Sequence, residues 1–187
     1  MPAYFIFFLA MLGAAVVLYA TALGTAAVTR RPLPTPVKGG AADGLQTLHL
    51  ALAWANFGMC WLLYFNVYRI HVDMAAVSDV AFLAFARGYT TRLPIVVLPY
   101  GAGALAAALA LWSAPTGVSR RALWGTATLW LLSVASTHWA VGAHDDMHDH
   151  GFSDAAFQQL QLAHLARSLC VSAAAVWSMW ECRRLRD

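Results

Sequence analysis

Two groups of side chains in this 187-residue sequence have types and spacing that suit chemistry. The first is Gln161, His164 and Arg167-Ser168, which recur at i, i+3 and i+7 inside an otherwise uncharged run, 155–180. Ionisable side chains within such a run are costly in lipid and face a bundle interior or a cavity. There an arginine would stabilise negative charge on a bound oxygen, and a histidine would move a proton or hold a metal. The competing role for Arg167 is structural, as a partner for a helix carbonyl or for Asp145 or Asp146. The second group is His144-Asp145-Asp146-Met147-His148-Asp149-His150. Imidazoles and carboxylates together suit Zn, Cu or Fe, and the His144-x3-His148 spacing puts two ligands on one helical face. His144, His148, His150 and Asp145 are the candidate metal ligands. The simpler alternative is a solvated acidic loop.

The elements that position these groups follow from composition. The chain is 60% hydrophobic and 11% charged, against about 45–50% and 25% in soluble domains. Its net charge of +3 arises from scarce charges rather than a basic surface, which argues against nucleic acid as a partner. Runs 1–29, 44–68, 93–119 and 122–143 contain no charged side chain. With 155–180 they predict five transmembrane helices, at about 4–28, 46–68, 93–112, 122–142 and 157–180, each near the ~20 residues that cross a bilayer. Residues 1–28 form an N-terminal span, 29–45 a Pro/Gly-rich linker and 46–187 a four-helix bundle. The first span has no basic flank before it and is too long for a signal peptide.

Eight basic residues fall in the segments after the first and third spans and in the C-terminal tail, and three (Arg69, Arg87 and Arg92) on the opposite side. The positive-inside rule then sets the N-terminus outside and the C-terminus in the cytoplasm. Residues 71–91 predict a short amphipathic interfacial helix, with Met74, Val77, Val80 or Ala81, and Ala84 on its apolar face and Gly88 at its end. Pro99 predicts a kink in the third span. Cys60, Cys170 and Cys182 read as small apolar fillers.

Depth groups the remaining polar residues. Asn66, Arg87, Arg92, His138, His164 and Arg167 share the outer half of the membrane with His144, and together they predict a polar pocket that opens outward. His49 lies near the inner end, and Asn56 reads as an interhelical hydrogen-bonding group. No nucleotide loop, nucleophile elbow or zinc-protease helix is present in the sequence.

Residues 48–180 resemble small bacterial four-helix integral membrane proteins similar to the anthrone-oxygenase-like family. The matching stretches are Tyr64-Phe65-Asn66-Val67-Tyr68-Arg69, then Ala86-Arg87-Gly88-Tyr89-Thr90-Thr91-Arg92, His144, and Gln161-Leu162-Ala163-His164-Leu165-Ala166-Arg167-Ser168. The chain departs from that pattern in having Ala163-His164 where an Asn-Trp pair is usual, an Asp/His run where a basic loop is usual, and an extra first helix. The resemblance implies a bundle in a bacterial inner membrane with its site in the outer polar cluster.

Three functions follow as expectations. Small size, eight Trp and the lack of a catalytic motif suggest an accessory subunit of a larger membrane complex, or a homo-oligomer, in the lipid bilayer. The His/Arg pocket suggests an oxidoreductase or lipophilic-ligand binder that holds a lipid, quinone or pigment. The 144–150 run suggests metal handling.

Overall fold

A computed structural model describes residues 3–29, 40–92, 94–113, 115 and 118–184. Among these residues the chain is helical throughout, without strands: α1 (Ala3–Thr29), α2 (Gly40–Leu62), α3 (Arg69–Val77), α4 (Asp79–Thr91), α5 (Pro94–Ser113), α6 (Arg120–His150) and α7 (Asp154–Arg184), with a π-helical turn at Leu63–Val67. Four stretches are long and apolar enough to cross a membrane: Ala3–Val28, Ala42–Val77, Pro94–Ser113 and Asp154–Cys182. α6 is not among them, its apolar run being diluted by hydroxyl residues and His138. Phe7, Val17 and Leu162 are more than half exposed on the outside of the bundle, as suits helices that face lipid rather than water.

The Pro-rich part of the expected linker, 30–39, lies outside the described residues, as does Arg186. α2 begins at Gly40 rather than near 46. Asp43 in its first turn complements the helix dipole, and the Thr47 hydroxyl donates to the Asp43 carbonyl at 2.9 Å.

α1 lies along α5, which also packs against α2. α6 and α7 run antiparallel and side by side: Gln159 donates to the Trp139 carbonyl at one end, and the Trp177 ring covers Gly125 at the other. Small residues permit these approaches. The main core holds Ala53, Ala104, Ala107, Ala108, Ala174 and Ala175 around Trp130. Asn56 donates to the Pro99 carbonyl at 3.0 Å and to the Leu52 carbonyl at 2.8 Å, so it ties α2 to the Pro99 region of α5.

The expected interfacial helix is two helices. α3 continues from α2 through the π turn, and the chain breaks at Ser78, whose extended backbone (φ −176°, ψ 160°) and hydroxyl cap α4 through the Ala81 N–H at 3.1 Å. α4 runs through Gly88 to Thr91 instead of stopping at Gly88. Its inward face is Phe82 and Ala86, while Val77 and Val80 are exposed. The apolar periodicity places Met74, Val80 and Ala84 on one face; Met74 does pack against the core, but the break at Ser78 resets the helical phase and turns Val80 and Ala84 outward.

The π turn decides which side chains of this region face inward. The Tyr68 N–H donates to the Leu63 carbonyl, five residues back, at 3.0 Å. An i→i+5 bond fits one extra residue into the helix. Leu63 and Tyr68 are therefore both buried, and Asn66 is turned outward. Deleting Asn66 should convert the turn to α-helix with Tyr68 still facing inward, leaving thermal stability close to that of the parent. Inserting Ala after Asn66 should rotate Tyr68 and His71 out of the bundle by about 100° and lower the melting midpoint by about 5 °C or more. Thermal denaturation in detergent checks both, and equal loss from deletion and insertion would refute this account of the turn.

Candidate functional site

The end of the bundle that carries the π turn and α4 contains a cavity of about 90 Å³. Its walls are mainly apolar (Phe5 and Phe8 from α1, Met59 and Leu63, Val96 and Val97 from α5), and among the described residues no carboxylate lines it. The polar groups at its wall come from six elements: Asn56 on α2, Tyr68 after the π turn, Tyr89 on α4, Tyr100 on α5, Thr137 and His144 on α6, and His164 and Arg167 on α7.

Arg167 organises these groups. One guanidinium nitrogen, Nη2, donates to the Thr137 hydroxyl at 3.2 Å, and Nη1 reaches His164 Nδ1 at 3.4 Å. The guanidinium carbon lies 5.2 Å from the centre of the Tyr100 ring, a cation–π distance. Nε is buried with no hydrogen-bond partner, and among the described residues no carboxylate pairs with the group. Arginine can only donate, so Nδ1 of His164 accepts and its proton resides on Nε2. The Tyr68 hydroxyl also approaches Nδ1, at 3.3 Å. Nε2 is buried without a partner of normal geometry, although it interacts with the Cys60 carbonyl. The Ser168 hydroxyl donates to the His164 carbonyl at 2.8 Å, which stiffens α7 where both site residues project.

The aromatic groups pack closely around this pair. Tyr68 meets the His164 ring edge-on at 4.7 Å between centroids, and Tyr89 stacks on His144 at 5.6 Å. Burial raises the Tyr89 phenol above its ordinary range, so Tyr89 remains a neutral group beside the cavity. The Tyr100 hydroxyl is held by Ser133 at 2.6 Å.

A second space of about 190 Å³ adjoins the first and is lined by His71, Ala86, Tyr89, His144, Met147 and His148, with Asp145 at its rim. The Asp/His run is not a loop. α6 continues through it to His150 and stops at Gly151, whose φ of 89° favours glycine. That continuation puts His144 and His148 on the same wall. His148 pairs with Asp149 at 3.1 Å, and exposed His150 turns away to Asp146 at 3.0 Å. Among the described residues no three His, Cys, Asp or Glu side chains converge closely enough to hold a metal ion.

Of the six pocket candidates from sequence, His164 and Arg167 line the cavity and four do not. Asn66 is displaced by the π turn. Arg87 follows the buried Ala86 and is turned outward, and Arg92 caps α4 at the surface. His138 is exposed because its neighbour Thr137 takes the inward position, so it also cannot share a haem with His164. Tyr68, Tyr89, Tyr100, Thr137 and Cys60 are cavity residues that sequence spacing did not single out. The first two sit within the stretches that carry the family resemblance. No family model, curated protein or solved structure matches this chain.

Proposed function

We propose that the protein is an integral membrane binder of a lipophilic molecule whose head group carries an anionic or strongly hydrogen-bond-accepting oxygen. The observation that carries this reading is Arg167: a guanidinium at the wall of an apolar cavity, without a carboxylate partner among the described residues and with Nε unused. A partly buried charge whose Nε is sealed from solvent is costly unless it is compensated, and an oxyanion compensates it through charge-assisted, often bidentate, hydrogen bonds. The cavity seats a head group and the start of a chain, and the tail is left to the surrounding lipid. Of the functions expected from sequence, ligand binding is therefore favoured over an accessory subunit or metal handling.

In this reading α6 is a fifth span. It lies beside α7 from Gly125 and Trp177 to Trp139 and Gln159, so a bilayer crossed by α7 is crossed by α6 too. The pair α3 and α4 caps the bundle at the outer interface. The charge bias supports an external N-terminus and a cytoplasmic C-terminus, and the family resemblance supports a bacterial inner membrane.

Laurate is a suitable probe, with its methyl ester as the control. Native mass spectrometry of the detergent-purified protein should show laurate retained, and the ester bound about tenfold more weakly or worse, since one charge-assisted hydrogen bond contributes roughly 1.5–3 kcal/mol. Equal binding of acid and ester would sink the proposal.

A further inference from the structure

The 190 Å³ space has room for several waters, and it shares two lining residues with the Arg167 cavity, Tyr89 and His144. These two rings are stacked, with planes 27° apart. They are buttressed by His71, whose ring centre is 5.4 Å from Tyr89 and 5.9 Å from His144. His71 is 2% exposed, and its Nδ1 is buried without a hydrogen-bond partner. At the rim, Asp145 and His148 are exposed. A polar, solvent-rimmed space and an apolar cavity thus meet at a two-ring partition.

We propose that the space between α3, α4 and the end of α6 is an aqueous vestibule, and that the Tyr89–His144 pair is the gate through which the head group at Arg167 is hydrated and exchanged from that side of the membrane. The inference rests on the Arg167 cavity being a binding site and adds the route to it. In this reading the cavity walls of α1 and α5 face lipid, and the vestibule supplies water past the two rings. A ligand with an apolar tail and a polar head suits that division.

Cys60 lines the inner cavity and is 4% exposed, so it reports entry without any ligand. In a Cys170→Ser/Cys182→Ser background, a sulfonate-bearing methanethiosulfonate reagent is added to right-side-out membrane vesicles and Cys60 modification is timed. Tyr89→Ala and His144→Ala should each speed modification by about tenfold, a barrier change of roughly 1.4 kcal/mol. Ala86→Trp, which fills the vestibule, should slow it. Trp139→Ala, on the exposed face of α6, should leave the rate unchanged. Unchanged rates in both ring variants would overturn the gate. So would equal acceleration by Trp139→Ala, or equally fast labelling in inside-out vesicles. Apolar N-ethylmaleimide, which enters through lipid, should label Cys60 in every variant and marks those that remain folded. If the labelling pattern holds but laurate does not bind, the access route stands and the ligand reading falls.

Discussion

Arg167→Met should weaken laurate binding by about 10- to 100-fold while the protein melts at or above the parent temperature. The binding loss follows from removing charge-assisted hydrogen bonds that contribute roughly 1.5–3 kcal/mol, at about 1.4 kcal/mol per tenfold. The stability result follows from the other side of the same arrangement. In the empty protein the guanidinium has Thr137, His164 and the Tyr100 ring as neighbours, but no carboxylate among the described residues. Replacing a poorly compensated, partly buried charge with an apolar side chain of similar length is often neutral or stabilising. An arginine held only for structure would behave in the opposite way, with stability falling and laurate affinity unchanged. Arg167→Lys keeps the charge but loses the planar fork, and should fall between parent and Met in affinity. Titration of laurate against each variant, alongside detergent melting curves, separates the two roles.

Gly103→Leu should cost on the order of 2–6 kcal/mol and leave little folded protein after extraction. A Cβ at Gly103 would lie 2.5 Å from Trp130 Cη2 and 2.8 Å from Cζ2, well inside contact distance. The indole cannot readily yield. Trp130 is 1% exposed, packs against Tyr100 at 5.6 Å, and donates its Nε1–H to His49 Nε2 at 3.1 Å. Overpacking of this kind costs about 1–3 kcal/mol, and breaking the indole bond strands the buried His49 acceptor for about another 1–3 kcal/mol. Native margins are about 5–15 kcal/mol. The double variant Gly103→Leu/Trp130→Leu should recover part of the loss, because one change vacates the volume that the other fills. Detergent-extracted yield and melting midpoint measure the recovery, and strictly additive loss would show that the two sites do not share the packing. In the sequence Gly103 is one small residue among many in a uniformly apolar run. Only the structure identifies Trp130 as the partner it admits, and Trp130 in turn as the cap on His49.

Other parts of the site were legible to different depths. His164 and Arg167 stood out because both sit three residues apart in a span that otherwise excludes charge, and they do meet at the cavity. Asn56 was read as an interhelical hydrogen-bonding group and does bridge α2 to α5. Asn66 was placed on the same face as Asn56 by an uninterrupted 3.6-residue period, and one i→i+5 bond removed it and installed Tyr68. Nothing in Leu63-Tyr64-Phe65-Asn66-Val67 announces that bond. Tyr89 and Tyr100 were not singled out, since a hydroxyl's role depends on which partner lies across the gap. The Asp/His run read as a loop because it is polar. It is the end of α6, since α6 runs on until Gly151 supplies a residue at ease with positive φ.

By itself the sequence determined that this chain is helical and membrane-compatible, and that an arginine and a histidine share one face of the last helix. Those conclusions need only local quantities: the apolar length of a run, the absence of charge within it, and the 100° step between residues. Tertiary structure decided what that arginine faces. The phase slip at Leu63–Val67, the break at Ser78 and the packing of α6 along α7 bring Tyr68, Tyr89, Thr137 and His144 around it. The packing of α6 along α7 depends on contacts between residues far apart in the chain, and the slip and the break set which side chains meet it, since a shift of one position turns a side chain from the cavity to the lipid.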